Sequence, residues 1–107
     1  MRKINLDPYL VECVDEKGAV TKAPYNVRLS LVNSLFHPDQ KLGAMELLNN
    51  DRLAQKIKLV EGSDILLEEE EYSRVQRAIQ SIHGYTQNDV ELVRRIMEAP
   101  EVPVKEA

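Results

Sequence analysis

From Asn26 onward the apolar residues recur at helical spacing, whereas before it they sit in two short runs split by a turn. Tyr9-Leu-Val-Glu-Cys-Val14 is rich in β-favouring residues and is followed by Asp15-Glu-Lys-Gly18 and then Ala19-Val-Thr-Lys22. Two apolar-bearing runs joined by four turn residues ending in Gly read as a β-hairpin. Pro24, which can donate no ladder hydrogen bond, is expected to stop the second strand.

Asn26 can cap a helix whose apolar residues Val27, Leu31 and Leu35 form one row, with Val32 and Phe36 alongside, and Pro38 ends it near His37. A second helical run starts near Leu42 and carries Met45, Leu47, Leu48, Leu53, Ile57 and Val60. Asn49-Asn50-Asp51 within it suggests a break and recap, hence two short helices or one kinked one. Gly62-Ser63-Asp64 is a turn, and Ile65-Leu-Leu67 is too short for a helix and reads as an extended lead-in or small strand. Glu68 to Glu71 place negative charge on a helix's first turn, where it complements the dipole, and Tyr72, Val75, Ala78, Ile79 and Ile82 continue a clear apolar stripe up to a stop at Gly84. Asn88-Asp-Val-Glu91 has the form of a capping arrangement with Asn88 as N-cap, opening a helix with Val90, Val93, Ile96 and Met97 inward and closed by Pro100.

This pattern predicts an α+β fold: an N-terminal β-hairpin followed by four to five short amphipathic helices, mainly helical. Residues 1–100 form a single compact domain and 101–107 an extended or flexible C-terminal tail. The core is expected to draw on Leu10, Val14, Leu31, Leu35, Leu48, Ile57, Val75, Ile79, Val93 and Ile96. At 107 residues, 43% hydrophobic and 30% charged, the chain has the composition of a folding globular domain that needs neither disulfide nor metal to bury a core.

Charge sharpens the functional reading. Net charge is −4, yet residues 1–60 carry nine Lys and Arg against seven Asp and Glu, a balance of +2, and residues 61–107 carry five against eleven, a balance of −6. An acidic C-terminal half argues against nucleic acid as the main partner, because affinity for a phosphate backbone rests on concentrated positive charge. With no Trp and one Phe, an aromatic base-stacking platform is not available either. The single cysteine, Cys13, cannot form an intramolecular disulfide and fits a reducing compartment. Met1-Arg2-Lys3 leads into Asp7 and Pro8 instead of an apolar run, so neither a secretory leader nor membrane association is expected.

Catalytic and metal chemistry find little to build on. Besides carboxylates, only Cys13, His37 and His83 could ligate a metal, and they fall on three different elements. Ser30, Ser34, Ser73 and Ser81 lie within helices, and four Gly in total leave no phosphate-cradling loop. The Glu68–Glu71 run points around a helix axis and reads as a solvated first turn. No catalytic residue, metal or cofactor is therefore assigned. Arg94 and Arg95, with Arg74 and Arg77 on the preceding helix, form the only basic concentration in the second half; they would suit a helix-turn-helix, though residues 83–88 make a long connection and Glu91 and Glu98 dilute the charge. Val102 and Val104, two residues apart around Pro103, would point the same way on an extended backbone, as docking along a sheet edge or in a groove requires.

Leu66-Leu-Glu-Glu-Glu-Glu-Tyr72, Asn88-Asp-Val-Glu-Leu-Val-Arg-Arg95 and Glu98-Ala-Pro-Glu-Val102 resemble stretches of small accessory proteins encoded in bacteriophage genomes. The resemblance covers about half the chain. It implies a compact protein in the cytoplasm of a bacterial host, or associated with a virion, that binds a phage or host protein. The expected function is a non-enzymatic protein–protein interaction module, an assembly factor, adaptor or inhibitor. Its partner is a protein, a second copy of the chain included, and its contacts use Arg94, Arg95, Val102 and Val104. The alternative is a small DNA-binding transcriptional regulator using the helix with Arg94 and Arg95.

Overall fold

The computed structural model describes residues 1–103. Its strands are β1 (Arg2–Asn5), β2 (Tyr9–Val14), β3 (Val20–Tyr25) and β4 (Asp64–Leu67), and its α-helices are α1 (Val27–Leu35), α2 (Ala44–Leu59), α3 (Glu69–Ser81) and α4 (Val90–Met97). Short 3-10 turns at Pro38–Gln40 and Gln87–Asp89 lead towards α2 and α4. The class is α+β and the helices predominate, as the pattern predicts. Four α-helices are found among the described residues, and a second small sheet accompanies the hairpin.

That second sheet pairs β1 with β4 antiparallel, Ile4 opposite Ile65 and Arg2 opposite Leu67. Ile4, Ile65 and Leu67 turn inward and are fully buried, so the Ile65-Leu-Leu67 run is a strand whose partner is the chain's first residues. On the other edge of β1, Arg2 bridges to Glu101, and the Val102 N–H donates to the Met1 carbonyl at 2.7 Å. The segment after Pro100 thus begins as an extended strip along β1.

The helices close over this sheet. Val27, Leu31, Val32 and Leu35 of α1 meet Leu53, Ala54 and Ile57 of α2, Tyr72, Val75, Ala78 and Ile79 of α3, and Leu92 and Ile96 of α4 in one cluster. Asn26 caps α1 as expected, its Oδ1 accepting from the Leu29 N–H at 3.0 Å. The helix α2 runs unbroken through Asn49-Asn50-Asp51. Asn50 is buried and donates to the Leu35 carbonyl at 2.9 Å, so the polar triplet fastens α2 to the end of α1 and does not interrupt it. At the far end Arg28 donates to the carbonyls of Ile57 at 2.6 Å and Val60 at 2.8 Å, occupying acceptors that a helix end leaves free.

Three further expectations are corrected. The second hairpin strand runs through Pro24 to Tyr25 instead of stopping before it. The Asp15 N–H donates to the Ala19 carbonyl at 3.0 Å, so the alternation of an antiparallel ladder gives the pairing hydrogen bonds to Tyr9, Val11 and Cys13 and leaves Leu10 and Pro24 at a non-bonded pair. Pro24 has no ladder bond to lose there. Second, Leu10, Val14 and Leu48 lie on the surface, not in the core, at 67%, 69% and 52% exposure, and the places expected for them are taken by Ile4, Leu6 and Leu92. Third, Asn88 does not cap the last helix: Asp89 holds the N-cap position of α4, and its carboxylate accepts from the Thr86 N–H at 2.9 Å in a capping box that opens the preceding 3-10 turn.

Candidate functional site

The hairpin leans on the start of α4 through its inner face. Tyr9 and Tyr25, opposite each other in the ladder, stack with ring centroids 4.8 Å apart. The Tyr9 hydroxyl donates to the Asn88 carbonyl at 2.8 Å and accepts from the Leu92 N–H at 3.2 Å, and the Tyr25 hydroxyl donates to the Asp89 carboxylate at 2.5 Å. These bonds hold the hairpin and the α4 entrance at a fixed spacing.

Their electrostatics follow from burial and from Asp89. Desolvation pushes the Tyr25 hydroxyl well above its ordinary value, and donation to Asp89 pushes it further; desolvation also raises Tyr9 and Tyr85. Asp89 moves the other way: burial opposes its charge, but the bonds from the Thr86 N–H and from the Tyr25 and Thr86 hydroxyls outweigh it and lower the pKa. His37 and His83 lie beside this cluster, His83 donating its N–H to Asp39 at 3.1 Å and His37 accepting from the Asp39 N–H at 3.1 Å. Phenols are protonated at neutral pH in any case, and the upward shifts extend their role as hydrogen-bond donors fixing the hairpin to higher pH.

Between the free edge of β2 and α4 runs an open groove of about 780 Å³. Leu10, Glu12 and Val14 line one wall, and Asn88, Val90, Glu91, Arg94 and Arg95 line the other. Leu10, Val14 and Val90 are exposed there, so the groove offers apolar side chains to water among polar ones. The same ladder alternation that spares Pro24 turns the backbone N–H and C=O of Leu10, Glu12 and Val14 away from β3, toward the groove. The Glu12 carbonyl accepts one long bond, 3.3 Å, from the exposed Asn88 amide.

Of the residues singled out in the sequence, Arg94 is on the groove, 58% exposed and paired with Glu91 at 3.0 Å. Arg95 also borders the groove, but its guanidinium is engaged within the chain. Its side chain is 16% exposed, donates to the Asp7 carbonyl at 2.6 Å and to the Asn5 carbonyl at 3.3 Å, pairs with Glu91 at 3.2 Å, and lies 5.1 Å from the Tyr9 ring centroid. Val102 is half-buried against Met1, away from the groove lining, and Val104 lies outside the described residues. Of the three described residues, Arg94 and Arg95 share the groove and Val102 lies apart from it. What the sequence reading missed is the β2 wall: Leu10 and Val14 alternate with Tyr9 and Val11, so both faces of the strand are apolar and periodicity could not choose between them.

Among the described residues there is no cluster of three or more His, Cys, Asp or Glu able to hold a metal ion, and no helix is long and apolar enough to cross a membrane. Fold and surface together define an α+β domain with a hairpin pinned beside its last helix. Comparison with protein-family models, curated proteins and solved structures gives no match for this chain.

Proposed function

We propose that the protein is a non-enzymatic protein–protein interaction module that captures an extended apolar segment of a partner protein in the groove between β2 and α4. The observation that supports this is the outward-facing backbone of Leu10, Glu12 and Val14, set beside the exposed side chains of Leu10, Val14 and Val90. An unpaired strand edge supplies main-chain hydrogen bonds, and alternate apolar side chains supply selectivity. Glu12, Glu91 and Arg94 give the rim both signs of charge, which suits a mixed polypeptide better than a uniformly charged polymer. The resemblance to bacteriophage accessory proteins makes a phage or bacterial host protein the partner to seek first. For the DNA-binding alternative, only Arg94 of the arginine pair reaches solvent freely enough to meet a phosphate.

The test places a photo-crosslinking residue at position 90 and identifies by mass spectrometry what it captures in a bacterial lysate. Crosslinks to one extended segment, abolished by Leu10→Asp with Val14→Asp while circular dichroism stays unchanged, support the reading. Capture that survives the double substitution removes it, and crosslinks between copies of the chain assign the groove to self-association.

A further inference from the structure

Independently of that groove, to which it contributes no residue, the helix α2 carries apolar side chains on two opposed faces. Asn50, Leu53, Ala54 and Ile57 turn into the body of the protein and are buried. On the reverse side Met45, Leu48, Arg52, Gln55 and Leu59 follow one another at alternating steps of three and four residues and are all exposed, Met45 at 65%, Leu48 at 52% and Leu59 at 76%. Steps of that kind align side chains on one stripe, the stripe by which two helices pack in a coiled coil. A surface helix that packs along one face only carries polar residues on the opposite one, so the exposed Met and Leu side chains are what needs explaining. We propose that this stripe is a self-association surface, on which α2 of a second copy of the chain lies antiparallel.

The occupant follows from what the stripe and its flank carry. A two-fold axis that sets Leu48 against the second copy's Leu59 also sets Arg52 against the second copy's Gln55. Apolar residues then meet at both ends, and in the middle the guanidinium donates to the amide oxygen. A polar pair within such a seam costs some stability and fixes register and orientation. The flank agrees with this axis. Asp51 and Lys58 lie two turns apart along one side of the stripe, both exposed and both outside the ion pairs formed among the described residues. The same axis brings Asp51 beside Lys58 of the second copy, and Lys58 beside its Asp51, so each pair joins opposite charges. A parallel pair would instead set Arg52 on Arg52, like charge on like. The helix is thus complementary to itself only when the two copies run in opposite directions. With 16 residues α2 is about 24 Å long, so one helix face buries less than the ~1,200 Å² of a stable interface, and the dimer dissociates at on the order of 100 µM.

Sedimentation equilibrium of the full chain from about 10 µM to about 1 mM tests the surface, and the mean mass should climb from monomer towards dimer across that range. Leu48→Glu with Leu59→Glu should hold the chain monomeric throughout, with its melting point at low concentration unchanged because both side chains already face water. Asp51→Lys alone and Lys58→Asp alone should each weaken the dimer by about three- to tenfold, since each sets like charges side by side. An equimolar mixture of these two single variants should restore the parental affinity, because the lysines of one chain then face the aspartates of the other. Leu10→Asp with Val14→Asp should leave the dimer intact; its loss there would move self-association to the β2 groove and overturn the proposal. So would a chain that stays monomeric at every concentration, a dimer that survives the two glutamates, or single charge variants that the mixture does not rescue.

Discussion

Replacing Arg95 by Ala asks whether that side chain ties α4 to the β1–β2 connection or waits for an external ligand. The bond to the Asp7 carbonyl, at 2.6 Å from a side chain 16% exposed, is charge-assisted, a type that contributes about 1.5–3 kcal/mol. The Tyr9 ring at 5.1 Å adds about 0.5–1 kcal/mol, and the Asn5 bond, at 3.3 Å, adds little. The expected loss is therefore about 2–4 kcal/mol. With an unfolding entropy of about 2.1 cal/mol/K per residue, this chain loses about 4 °C of Tm per kcal/mol, so the melting point should fall by about 9–18 °C. Arg94→Ala, which breaks only an exposed i,i+3 pair, should cost less than about 0.5 kcal/mol. Arg95→Lys keeps the charge, loses the fork, and should fall between the two. Thermal and urea unfolding followed by circular dichroism measure all three. A melting point for Arg95→Ala within about 2 °C of the parent would refute the reasoning and return Arg95 to the pool of ligand-contacting residues.

Other outcomes follow from the same geometry. Ile79→Ala, at a position 2% exposed in the helical core, should cost about 2–5 kcal/mol in chemical denaturation. Leu10→Asp with Val14→Asp should leave stability within about 1 kcal/mol, because both side chains already face water; a larger loss would mean that the hairpin face is covered. Deleting residues 101–107 removes the two hydrogen bonds that Val102 exchanges with Met1, so the melting point should drop by the equivalent of about 1–3 kcal/mol. For pH, Tyr9, Tyr25 and Tyr85 have folded pKa values above their unfolded ones, so their contribution is complete below about pH 10 and is lost as pH rises from there. A pH series of melts should show stability declining from about pH 10, and Tyr25→Phe should make that decline shallower.

The sequence made the helical half legible because burial there follows one stripe per helix: Leu31 and Leu35, Val75 and Ile79, and Ile96 all face inward as their spacing demands. The strands were harder for two physical reasons. Arg2–Asn5 is four residues long and finds its partner about sixty positions later in Asp64–Leu67, a pairing that no local window contains. In β2 both faces carry apolar residues, and what decides the inward one is the stacking of Tyr9 on Tyr25 and its bonds to Asn88 and Leu92, which again come from far along the chain. The groove was half visible, since Arg94 and Arg95 were marked from charge alone. The partition of the adjacent arginines, one outward and one inward, depends on carbonyls of Asn5 and Asp7 that side-chain patterning does not register.

Pro24 has a consequence for stoichiometry. On the outer edge of the hairpin it removes one of the backbone donors that an incoming strand would need, and Lys22 on the same edge adds a charge. The two edges are thus unequal: one can accept a strand and the other resists it. A segment added along β2 would find no equally receptive edge beyond β3 from which a further chain could grow. If two copies joined through their β2 edges, the resulting four-stranded ribbon would present a proline-bearing strand on both sides. Any assembly through this hairpin would therefore be self-terminating, closing at one partner per chain instead of propagating into a fibre.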